Sequence, residues 1–149
     1  MQRQWSSGRV QKTYLALVAG TPPDQWECHE PIGPGPHARY RIDHEKGRPA
    51  ETAFETILRG PGAAEVRALP RTGRTHQIRL HAQHAGSPLL GDVRYGGPAY
   101  WQGLQIARTM LHATELQFQH PKTGQTIQLH ADTPADYVLI RRAIEVASS

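Results

Sequence analysis

Cysteine is nearly absent from this chain. Cys28 stands alone, which excludes an intrachain disulfide and fits a reducing compartment. Long apolar runs are missing too: no stretch approaches the roughly 20 residues needed to span a bilayer. The opening Met1-Gln-Arg-Gln-Trp-Ser-Ser-Gly8 lacks the apolar centre of a secretory leader. These absences predict a soluble, cytoplasmic protein with no membrane partner. No internal repeat occurs, which excludes a repeat array. What remains is 149 residues, 38% of them hydrophobic, enough for a single domain over 1–149 with its own core. Seventeen Lys and Arg against thirteen Asp and Glu give a net charge of +4, and the sequence pI is about 9.6. That balance favours a polyanionic partner such as nucleic acid.

The pattern along the chain predicts an α+β domain with a mostly antiparallel, mixed sheet and two main helices. Thr13 to Gly20 is a short apolar run that suits a central strand buried on both faces. Residues 21–38 hold five prolines and two glycines, which predicts a long exposed loop with no regular pairing and little core. Arg39–Asp43 and Glu51–Leu58 read as strands around a turn at His44 to Gly47, with Phe54 and Leu58 on one face, and Ala64–Pro70 as the next strand. Beyond Gly73 the period becomes helical, with Thr75 as N-cap, Ile78, Ala82 and Ala85 as the buried stripe, and Gly86 and Pro88 as the stop. His76, Arg79 and Gln83 form a polar row on another face of that helix. Residues 87–108 read as irregular. A hairpin follows, Met110–Phe118 and Gln125–Ala131, with Leu116, Phe118, Ile127 and Leu129 inward. A closing helix starts with Pro134 after a cap at Asp132 or Thr133, and buries Val138, Leu139 and Ala143.

The richest chemistry lies in Arg71-Thr-Gly-Arg-Thr-His-Gln-Ile-Arg-Leu-His81 and its continuation through Gly91-Asp92 to Tyr95-Gly96. Cations, amides and glycines crowd where an ordinary core element would be apolar. His76, His81 and His84 raise the question of a metal. No cysteine or carboxylate sits at ligand spacing beside them, so no metal is expected there.

Four collinear stretches resemble the RluA-type pseudouridine synthases. Lys12-Thr-Tyr14-Leu-Ala16-Leu-Val18-Ala-Gly20 is similar to the family's KxYxAxVxG strand, and Gly47-Arg-Pro-Ala50-Glu-Thr52 to its GKxAxT element. Arg71 to Gly96 is similar to TGRTHQIR leading into GHPxxGDxxYG. Leu111-His112-Ala113 with His120-Pro121 is similar to the LHA and HP elements. The resemblance implies an isomerisation of uridine in ribosomal or transfer RNA, with no cofactor. An aspartate attacks the nucleoside, the glycosidic bond breaks, and the uracil turns and rejoins the sugar through carbon. It implies catalytic supporting roles for Tyr14, packed on the flipped base, and for Arg79, paired with the nucleophilic aspartate. Leu111 becomes a wall of the pocket. Lys12, Arg67, Arg71, Arg74, His76 and Gln77 become RNA contacts.

The family's nucleophile lies in an HRLDxxTSG-like motif, and these 149 residues contain none. Arg41-Ile42-Asp43 mimics part of it but is followed by no Thr-Ser-Gly, so Asp43 is rejected. Gly91-Asp92 is read as a structural turn. The chain is therefore expected to correspond to the C-terminal half of a synthase catalytic domain, inactive alone, with Arg79 facing water, an anion or phosphate. A sheet edge exposed by the shortened fold invites a homodimer. The alternative to an enzyme is a non-catalytic RNA-binding remnant or an interaction module.

Overall fold

The protein was described from a computed structural model over residues 10–148. Its centre is a six-stranded sheet built from β1 (Gln11–Ala19), β2 (Gln25–Cys28), β5 (Thr52–Gly60), β6 (Ala63–Pro70), β9 (Leu111–Gln119) and β10 (Thr126–His130). The order across it is β10-β9-β1-β6-β5-β2. Every pairing among these strands is antiparallel, so the α+β expectation holds and the sheet is not mixed. Two small hairpins, β3 (Ile32–Pro34) with β4 (Tyr40–Ile42) and β7 (Tyr100–Trp101) with β8 (Leu104–Gln105), stand outside it. Helix α1 (Gln77–His84) covers one face and α2 (Ala135–Ala147) the other.

β1 lies centrally between β9 and β6, and its Ala16, Leu17 and Val18 are buried because a core cluster covers each of its two faces. Ala16 and Val18 point with Val66, Ala68 and Phe54 toward Ile78 and Ala82 of α1. Leu17 points the other way, to Met110 and to Tyr137, Ile140 and Ile144 of α2. A third cluster, Ile32, Ala50, Leu80 and Tyr95, ties the β3–β4 hairpin to the outer side of α1.

Several local expectations need correction. Residues 21–38 are not an unpaired loop. Gln25–Cys28 contains no proline and pairs with Thr52–Glu55, while Cys28 and Ile32 are buried. The prolines flank that strand, and Pro34 ends a three-residue strand where a missing donor costs little. Tyr40–Ile42 pairs with Ile32–Pro34 and not with β5. Phe54 and Leu58 lie on opposite faces, because the register slips at Ile57 and a slip of one residue reverses every later side chain.

Helix α1 is capped by His76, at φ 57°, and not by Thr75; Ala85 is exposed, while Gln77, Leu80 and His81 join Ile78 and Ala82 in burial. Residues 87–108 are irregular apart from β7, β8 and a 3-10 turn over Val93–Tyr95. The C-terminal hairpin has the expected register, Leu116 opposite Leu129 and Phe118 opposite Ile127. Those four residues are not inward: Leu129 is 52% exposed and the other three are only half-buried, since no described element covers that part of the sheet. Pro134 is the N-cap of α2, one position earlier than expected. The buried stripe is Tyr137, Ile140 and Ile144, with Leu139 exposed. A tyrosine can face inward here because its hydroxyl donates to the buried Glu65 carboxylate at 2.7 Å.

Candidate active site

Beside α1, at the margin of the covered part of the sheet, lies a cleft of about 270 Å³. Period-two alternation puts Lys12 and Tyr14 of β1 on the α1 face, and pairing of Ala16 with Leu111 brings β9 alongside. The Gly73-Arg74 segment and the first turn of α1 supply the opposite wall, including His76 and Arg79. Tyr14, Arg79, Leu111, Lys12, Arg74, His76 and Gln77 thus converge on one space although they come from segments about a hundred residues apart. No carboxylate is among the residues lining it.

Arg79 is not left to solvent or an anion, as expected for a half site. Its Nε–H donates to Asp92 Oδ2 at 3.0 Å and its Nη2–H to Oδ1 at 2.7 Å. Asp92 is 1% exposed, so this is a fork-shaped pair largely shielded from water. The guanidinium carbon also lies 4.8 Å from the centre of the Tyr95 ring, within cation–π range. Asp92 is therefore more than a turn residue; its oxygens cap nothing in the 3-10 turn it precedes. Nothing in the local pattern singles it out, because the pair joins α1 to an irregular segment whose path no periodicity predicts. The flanking glycines are structural. Gly91 sits at φ 80°, and a Cβ there would strike the Arg108 carbonyl; at Gly97 it would strike that of Leu89.

His76 rests edge-on to Tyr40 and Tyr95, with Nδ1 2.7 Å from the Tyr95 hydroxyl. Burial, aided by the nearby Arg79 and Arg94 charges, pushes its pKa below the ordinary histidine value. A neutral imidazole on the cleft wall can donate to, or accept from, a nucleotide without adding charge. Burial likewise lowers the pKa of the Lys12 ammonium, which reaches across to Gly73. Arg74 is held by an Nε–H bond to the Pro49 carbonyl at 2.7 Å.

Three of the residues read as RNA contacts are engaged by other groups of the protein. Gln77 is 4% exposed, and its amide is fully engaged: Oε1 accepts from Thr72 Oγ1 and the Arg74 N–H, and Nε2 donates to Glu51 O and Thr52 Oγ1. It lines the cleft with an amide already committed to these four bonds, and so braces the wall. Arg67 continues the Ala63 and Glu65 face of β6, opposite the cleft, and bonds Glu55 at 3.2 Å. Arg71 is drawn away into Glu27 and Glu51, at 2.9 and 2.8 Å.

Asp43 is outside the cleft, its Oδ1 accepting the N–H groups of Glu45 and Lys46. Glu27, His29 and Glu51 group closely enough for a cation, but Arg71 already bridges both carboxylates, which makes the group an ion-pair network. His76, His81 and His84 do not converge. His81 is buried between Thr52 Oγ1 and the Glu30 carbonyl, each at 2.8 Å.

The cleft joins a polar, cationic wall to an aromatic and an aliphatic one, which suits a base and its phosphates. Comparison with known proteins gives the class: a family profile described as RNA pseudouridylate synthase matches residues 1–84. The chain belongs to that family, in its RluA-type branch. Ribosomal large subunit pseudouridine synthase C of Haemophilus ducreyi is 40% identical over an alignment of 141 residues that covers 87% of this chain and 42% of that protein. The Yersinia pestis protein of the same name is 41% identical over an alignment of 133 residues that covers 82% of this chain and 40% of that protein. Among solved structures, human RNA pseudouridylate synthase domain containing 1 matches with a TM-score of 0.72 at 28% identity, over 89% of this chain and 58% of that one. The chain spans less than half the length of the curated relatives it matches.

Proposed function

We propose that these residues are the C-terminal portion of a pseudouridine synthase catalytic domain and form the uridine-receiving side of its active site. The observation that carries this is the convergence of collinear motif residues, Tyr14, Arg79 and Leu111, on one cleft beside Lys12 and Arg74. Tyr14 offers its ring to the flipped base and Leu111 an apolar wall. Arg79, held by Asp92 through Nε and Nη2, keeps Nη1 for a second carboxylate, the nucleophile that attacks the nucleoside. The substrate class is ribosomal RNA, following the names of the relatives, and the compartment is the cytoplasm, where that RNA is made. No helix among the described residues is long and apolar enough to cross a membrane.

Because no carboxylate lines the cleft, the 149-residue chain binds RNA and does not isomerise it. The test uses RNA carrying tritium at uridine C5, where carbon–carbon bond formation releases the label to water. No release is expected. Release that Asp43→Asn abolishes would overturn both the inactivity and the exclusion of Asp43. We also propose a homodimer through the free edge of β10, with its test given below.

A further inference from the structure

Cation pairing in this protein is uneven, and three of the cations without an ion pair among the described residues gather beside the cleft. Arg59, Arg67, Arg108 and Arg141 each meet a carboxylate within 3.2 Å. Lys46, Arg48 and Arg74 make no ion pair among the described residues. All three line a second groove of about 320 Å³, which shares Gly73 and Arg74 with the Tyr14 cleft. Asp43, beside the groove, bonds two backbone N–H groups, lies 3.6 Å from Arg41 and feels the charge of Lys46, but makes no ion pair with Lys46, Arg48 or Arg74. Tyr40 closes the groove, and Ile32 to Pro34 of β3 form part of its lining.

Three like charges around one depression repel one another, a cost offset when a polyanion releases its counterions there. Arg74 stands at the boundary. Its Nε is fixed on the Pro49 carbonyl, so the two Nη groups remain for a ligand crossing from one groove to the other. The opposite side of the cleft is of another character. Leu116 and Phe118 of β9 and Ile127 and Leu129 of β10 lie there, and neither strand carries a Lys or Arg.

We propose that the groove walled by Lys46, Arg48 and Arg74 holds the phosphodiester backbone of the nucleotides flanking the uridine seated in the Tyr14 cleft. The RNA strand then leaves the cleft over the β3–β4 hairpin and not over the β9–β10 sheet. This rests on the uridine-receiving reading of the cleft, and one experiment separates the two.

Binding of a single-stranded, uridine-containing RNA oligonucleotide is followed by fluorescence anisotropy across a salt series. Arg48→Ala and Lys46→Ala are each expected to weaken binding several-fold and to make the slope of log affinity against log salt shallower by about 0.7 for each phosphate no longer neutralised. Arg142→Ala is the control: an exposed arginine of α2, on the other face, without an ion pair among the described residues. It should leave affinity and slope nearly unchanged. If the wild-type chain binds and all three variants behave alike, the groove assignment fails while the cleft reading stands. If wild-type binding is absent or insensitive to salt, the cleft reading fails and the groove with it. All three side chains are exposed, and far-ultraviolet circular dichroism checks that the variants fold.

Discussion

Asp92 meets the Arg79 guanidinium edge-on while Tyr95 meets it face-on, so the group's position in the cleft is fixed from two directions. Replacing the carboxylate by an isosteric amide keeps the shape and one acceptor but removes the charge opposite a guanidinium that is only 20% exposed. Asp92→Asn is therefore expected to cost about 2 kcal/mol, less than a fully buried pair because Arg79 retains some water. For a chain of this size that is a fall of roughly 6 °C in melting temperature by calorimetry. An unchanged melting temperature would show that the bond contributes nothing net. Much of the site was legible at this scale. Tyr14, Arg79 and Leu111 lie in collinear motifs, and motif position is enough to bring them together. Asp92 as partner, Gln77 as brace and Lys46 with Arg48 as groove were not legible, since each depends on which side of a loop a chain passes. The placement of Arg67 away from the cleft was not legible either: proximity in sequence to the helix says nothing about which face of β6 a residue takes.

Helix α1 is joined to the sheet by a polar clasp as well as by apolar packing. Thr52 on β5 accepts from Gln77 Nε2 and lies against His81 Nδ1, while His81 Nε2 faces the Glu30 carbonyl beyond β2. A carbonyl can only accept, so Nε2 carries the proton and the neutral ring has Nδ1 free to accept from the threonine hydroxyl. Burial lowers the His81 pKa, an effect partly countered by the Glu30 backbone bond, and His76 is shifted in the same direction. With the folded pKa below the ordinary 6.5, the unfolded chain takes up protons first as the pH falls. Stability is then complete above about pH 6.5 and declines on acidification below it. The carboxylates of Glu27, Glu30, Asp43 and Asp136, with lowered pKa values, add a loss of the same sign at lower pH, below their ordinary values near 4. Urea midpoints at a series of pH values should fall between pH 6.5 and 5; a flat or rising midpoint there would contradict the clasp. The major elements themselves were readable from pattern: β1, β5, β6, α1, the C-terminal hairpin and α2 all fall near their expected places. What pattern missed has local causes. A four-residue strand free of proline hides within a proline-rich window, and the Ile57 bulge reverses a face. A tyrosine outcompetes leucine for the interior because Glu65 waits there for its hydroxyl.

At the scale of the whole molecule, two surfaces of the α1 face differ in what they can bind. The β3–β4 side is cationic, and the β9–β10 side is apolar and ends in an open edge. Natural edges are blunted by charge, proline or a covering element. Thr126–His130 has neither lysine nor proline, four of its five residues are exposed, and no described element covers it. The His120 N–H donates to Gln125 O and the Ala131 N–H to Thr114 O, so odd-numbered residues of this strand bond inward to β9. By alternation the N–H groups of Thr126, Gln128 and His130 face outward. Two copies related by a two-fold axis can pair these edges antiparallel and bring Ile127 and Leu129 together across the junction. Sedimentation velocity over a wide concentration series is expected to show a monomer–dimer equilibrium for the wild-type chain. Gln128→Pro removes one outward donor without touching the β9 ladder, and Leu129→Lys adds charge to the apolar strip. Each should shift the equilibrium to monomer with little change in melting temperature measured at low protein concentration. A wild-type chain that stays monomeric throughout the series would sink the edge dimer. A dimer indifferent to both substitutions would move the interface elsewhere.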